Sequence, residues 1–71
     1  MDILVFKTDI SNRWHTGVAQ KLLSSLQGII RTTVDVEDID HVLRVESENV
    51  PPKHVELLLK LNGYHCEELR D

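Results

Sequence analysis

Cysteine is nearly absent: Cys66 is the only one in 71 residues. A secreted domain of this size usually needs several disulfides, so a lone thiol points to a reducing compartment, the cytoplasm. Positive charge is also scarce. Twelve acids face eight bases, leaving −4 with the histidines neutral. A nucleic-acid surface needs a basic stripe that displaces counterions, and that class of partner is set aside. An acidic surface argues equally against a place on anionic lipid. No apolar run approaches the ~20 residues that span a bilayer, so membrane insertion is not expected. The start, Met1-Asp2-Ile3-Leu4, lacks the basic segment of a secretory signal. Repeats and low-complexity stretches are missing as well. So are paired carboxylates, a Ser/His/Asp set and a phosphate-cradling glycine loop, and the sequence reads as non-enzymatic.

What remains is room for one domain over 1–71. Such a domain buries roughly 60% of its unfolded surface and gains only about 3–5 kcal/mol from its core. A shallow surface site or a partner-binding face suits it better than a deep cleft.

The element signals alternate. Residues 3–8 read as a strand with apolar residues on both faces, hence a central one. Ser11 and Asn12 can cap a helix running to 26, with Val18, Ala19, Leu22, Leu23 and Leu26 in one stripe and Gly28 as its terminal glycine. A second strand over 29–37 buries Thr32, Val34 and Val36. A tight turn at Asp38-Ile39-Asp40 leads into a third strand over 41–46, with Leu43 and Val45 inward. Pro51 and Pro52 start a second helix that runs to Asn62, with Val55, Leu58 and Leu59 inward and Gly63 as its cap. A closing strand follows over 64–69. Right-handed crossovers turn this order into an α+β, ferredoxin-like βαββαβ sandwich. Its four-stranded antiparallel sheet has the order 4-1-3-2, with both helices on one face.

Certain positions add a likeness. Phe6-x-Thr8-Asp9-Ile10 precedes the first helix, Gly28-Ile29 follows it, and Gly63-Tyr64 follows the second. In element order, spacing and these pairs the chain resembles the heavy-metal-associated domain family of small copper chaperones and metal-ATPase modules. The resemblance implies the sandwich fold and a ligand loop between the first strand and first helix. That family carries Met-x-Cys-x-x-Cys there. Here Ile10 stands for the Met, and Asn12 and His15 stand for the two cysteines. Two thiolates suit soft Cu(I), whereas an amide and an imidazole do not reproduce that site. The resemblance therefore implies the scaffold without its Cu(I) chemistry. No resident cofactor is expected on this reading.

Two functions stay open on these residues. One is an interaction domain for a protein partner or a second copy of itself. The other is an atypical Zn, Ni or Cu(II) protein using His15 and Asn12, with further ligands from a second molecule. Trp14 is a core cap or an anchor for a partner. Tyr64 is a packed ring or a hydroxyl supporting a ligand near His15. His15 itself fits a half-buried ring bonded to a backbone carbonyl. His54, Leu57 and Leu61 share an outer helical arc that can meet a partner. Ile3, Val5 and Val42 form a second apolar patch on the open sheet face. Cys66 reads as a buried small hydrophobe. The acidic run Asp35, Glu37, Asp38, Asp40 lacks the ligand spacing of a calcium loop and reads as a solvated turn.

Overall fold

The computed structural model describes residues 1–69. Its elements are β1 (Asp2–Thr8), α1 (Arg13–Leu23), β2 (Ile29–Val34), β3 (Leu43–Ser47), α2 (Pro52–Leu61) and β4 (Cys66–Glu68). The sheet order is β2-β3-β1-β4 with every pair antiparallel, which is the predicted order read from the other edge. β1 is central because Leu4, Phe6 and Thr8 face the helices while Ile3, Val5 and Lys7 face away. α1 packs on β2, α2 packs on β4, and the helices touch each other. Phe6, Ile10, Ala19, Leu23, Leu43, Val45, Val55, Leu59 and Cys66 are fully buried between the layers. Removing a side chain such as Phe6 or Leu59 from water contributes about 1.5–3 kcal/mol.

Several boundaries differ from the expected ones, each for a local reason. α1 stops at Leu23 rather than 26. Ser24 Oγ donates to the Lys21 carbonyl and Ser25 Oγ to the Leu22 carbonyl, both at 2.6 Å, and these bonds close the last turn. Gly28 therefore does not cap the helix. At φ +102 it turns the chain into β2. β2 ends at Val34 rather than 37, and β3 starts at Leu43 rather than 41. Asp35 Oδ1 accepts from the Glu37 N–H and Asp38 Oδ1 from the Asp40 N–H, which winds 35–42 into consecutive turns. The acidic run thus satisfies its own backbone. β4 is shorter than 64–69, but the Leu69 N–H still donates to the Val5 carbonyl.

α2 ends as expected. The Tyr64 N–H donates to the Leu59 carbonyl and the Gly63 N–H to the Lys60 carbonyl, with Gly63 at φ +89. That pairing is the Schellman arrangement, and it swings Tyr64 back over Leu59 toward the core. The free edge of β2 is also managed. Gln20 reaches from α1 so that Nε2 donates to the Thr32 carbonyl at 2.9 Å, and Ile29/Arg31 marks a bulge in the ladder.

Candidate functional site

The loop between β1 and α1 is pinned from both sides. Thr8 Oγ1 donates to the His41 carbonyl and accepts from the Ile10 N–H. Asp9 Oδ1 accepts from the His65 N–H at 2.9 Å, which ties the loop after α2 to the loop before α1. Tyr64 is thereby held beside the first turn of α1.

Asn12 is the helix cap. Its Oδ1 accepts from the His15 N–H at 2.9 Å. His15 is half-buried, and its Nδ1 lies 2.7 Å from the Tyr64 hydroxyl. The tautomer decides which of the two donates. This partner replaces the backbone carbonyl expected for His15. Tyr64 packs against the core, as its packed-ring reading expects, and its hydroxyl meets His15. Trp14 stacks edge-on against His15, with ring centroids 4.8 Å apart, and is 71% exposed. It is not a core cap. His15 in turn meets the Tyr64 ring edge-on at 5.5 Å. The aromatic side chains thus form a chain of contacts running outward from the core to solvent.

The remaining sequence candidates lie elsewhere. His54, Leu57 and Leu61 are exposed on the outer side of α2, with Leu57 at 59% and Leu61 at 75%. On the open sheet face Ile3 lies opposite Glu46 and Val5 opposite Arg44. Val42 lies just before β3, where the register brings it in line with Lys7 and diagonal to Val5. Cys66 is fully buried on β4, opposite Thr8. Its thiol is pushed up from 9.0 to about 12, chiefly by burial, with nearby Glu56 adding to the rise, Lys60 opposing it and Asp9 adding a smaller share. Among the described residues no three His, Cys, Asp or Glu side chains gather where a metal ion could be held. No helix among them is long and apolar enough to cross a membrane.

Three residues beside Trp14 were not legible as site residues. Arg13, Gly17 and Lys21, with Trp14 and Val18, line an open groove of about 420 Å³ along α1. Two sequence signals mark them: a glycine inside a helix, and a stretch over 10–34 without a single acid. Interior glycine costs about 0.5–1 kcal/mol relative to alanine. Nothing lies within 4 Å of where a Cβ would stand on Gly17. Gly17→Ala should therefore raise the thermal midpoint by several degrees, about 4–8 °C per kcal/mol in a domain of this size, as read by circular dichroism. An unchanged or lower midpoint would show that this helix position is not free.

No protein-family model matches the sequence, and no curated protein does. Solved structures do. The yeast copper transporter domain CCC2A, solved in apo and Cu(I)-loaded states, superposes with a TM-score of 0.84 at 18% identity over 100% of this chain and 99% of that one. The N-terminal domain of ZntA in its Zn(II) form gives 0.83 at 17% identity, over 96% of this chain and 92% of that one. Oxidised MerP from Ralstonia metallidurans CH34 gives 0.83 at 11% identity, over 97% of each. The chain has the ferredoxin-like fold of the heavy-metal-associated domains.

Proposed function

We propose that this is a single, non-catalytic binding domain of the cytoplasm that uses the heavy-metal-associated scaffold without its Cu(I) site and docks a protein partner through Trp14. The exposure of Trp14 carries the reading. A tryptophan standing 71% in solvent is held edge-on by His15, which is held by Tyr64. Tryptophan is among the residue types most enriched at the hot spots of protein interfaces. The donors in the loop support the same reading. Asn12 Oδ1 is engaged as a helix cap, His15 Nδ1 is engaged by Tyr64, and the only thiol is buried on β4.

The test compares the immobilised chain with its Trp14→Ala variant in quantitative affinity capture. The variant should keep its circular dichroism and melting curve, because the indole is mostly in solvent. Its captured partner should bind about 30-fold or more weakly, the loss of ~2 kcal/mol that defines a hot spot. Equal capture by both chains would sink the reading.

One observation favours a second reading. Metal-bound histidines usually have their other ring nitrogen held by an outer partner, as Tyr64 holds Nδ1 of His15. On that reading His15 binds Zn(II), Ni(II) or Cu(II) through Nε2, Asn12 serves only as a cap, and a second molecule completes the coordination. Native mass spectrometry with these ions decides it. His15-dependent binding, lost in His15→Ala, supports the metal reading, and identical spectra for both chains reject it.

A further inference from the structure

The acids of this chain are unevenly placed. Residues 10–34, which form α1 and β2, contain Arg13, Lys21 and Arg31 and no acid. The rest of the chain has twelve acids against five bases, a charge of −7. α1 packs on β2, so the two acid-free elements are neighbours in the fold. Among the described residues neither Arg13 nor Lys21 makes an ion pair, whereas Lys7 and Arg31 have carboxylate partners. Two cations without internal partners therefore flank the exposed indole.

Gly17 lies between them, one turn beyond Arg13 and one turn before Lys21. It lowers the stability of the helix, and no side chain or backbone of this chain fills the space above it. A helix position kept bare over open solvent gives an incoming backbone a close approach. The groove it floors runs from Arg13 to Lys21, about 12 Å along the axis, with Trp14 and Val18 as its apolar wall. Its length along the helix and its bare centre suit a second helix lying across α1 better than a side chain entering a pocket.

We infer that this face of α1 docks an acidic amphipathic helix, whose apolar side chains meet Trp14 and Val18 over Gly17 and whose carboxylates meet Arg13 and Lys21. The inference rests on the docking reading above and names the chemistry of the partner. Interface cations of this kind set partner choice and association rate, and they weaken with salt.

The test uses the full chain, whose only tryptophan reports on the groove directly. Two synthetic helical peptides share one leucine face; glutamates flank it in the first and lysines in the second. The glutamate peptide should shift Trp14 emission to the blue and bind about tenfold or more tightly than the lysine peptide at low salt, with the gap closing as salt rises. The Arg13→Glu, Lys21→Glu double variant should reverse that preference. Gly17→Ala should melt higher than the wild type and yet bind the glutamate peptide about tenfold more weakly. Equal affinity for the two peptides, no emission shift with either, or a Gly17→Ala chain that binds unchanged would each overturn the inference. Dimerisation of the chain alone, abolished by Arg13→Glu, would overturn it in favour of a second copy as occupant. If the peptides fail but Trp14→Ala still loses its captured partner, the acidic helix is rejected and docking through Trp14 stands.

Discussion

Gly28→Ala should remove most of the folding stability of this chain. The methyl group would stand 2.5 Å from the Glu48 carbonyl oxygen and 2.9 Å from Val50 Cγ2. The first contact is backbone, and it cannot swing aside. The Gly28 carbonyl accepts from the Glu48 N–H at 2.8 Å, a bond that extends the β2–β3 pairing and fixes that close approach. Val50 is core, at 7% exposed. The backbone at φ +102 adds a second penalty for any L side chain. Left-handed strain of about 1–2 kcal/mol and overpacking of about 1–3 kcal/mol together give roughly 3 kcal/mol. A core of this size supplies only about 3–5 kcal/mol in total. Urea unfolding followed by circular dichroism should show a large fall in midpoint. Gly63→Ala is the internal comparison. It shares a positive φ of +89 but has nothing within 4 Å, so only the strain of about 1–2 kcal/mol applies. Equal losses for the two variants would refute the steric argument at Gly28.

The same two glycines show which features of the fold can be read from a sequence. Gly63 is legible because a helix stripe ends beside it, and the Schellman bonds at Leu59 and Lys60 follow from that local pattern. Gly28 is misread as a cap because its neighbour in space, Glu48, is twenty residues away in the chain. Strand order and the inward residues Phe6, Leu43, Val45, Val55 and Leu59 are legible from period and crossover handedness. The end of α1 is not, because Ser24 and Ser25 are compatible with a helix until their hydroxyls take the carbonyls three residues back. The site divides in the same way. Asn12 as a cap is a local signal. The His15–Tyr64 bond spans 49 residues and depends on Asp9 holding the His65 backbone, which no periodicity encodes. Gly17 was legible as a composition fact alone. Its meaning depends on the empty space above it, which only coordinates reveal.

Raising the pH from 8 to 11 should destabilise the wild-type chain by about 3 kcal/mol more than its Cys66→Ala variant. In the unfolded chain the thiol ionises near 9.0, whereas in the folded chain burial holds it protonated up to about 12. Below 9.0 both states keep the proton, so the thiol adds no pH dependence and its contribution is fully present. Above 9.0 the unfolded state gives up a proton that the folded state keeps, and stability falls by about 1.4 kcal/mol per pH unit until the folded thiol also ionises. Cys66→Ala differs from the wild type only in the thiol and supplies the baseline. Urea unfolding of both chains at pH 8 and pH 11 gives the difference directly, and parallel curves would show that the thiol is not held protonated. The result bears on metal chemistry too. A soft ion needs a thiolate, and the only thiol here is uncharged at neutral pH and closed off beneath α2 and β1. Iodoacetamide should therefore label Cys66 only through unfolding, about 100-fold or more slowly than a free thiol. Rapid labelling of the folded chain would reopen Cys66 as a ligand. Slow labelling would show that the folded chain offers no accessible thiolate to a soft ion.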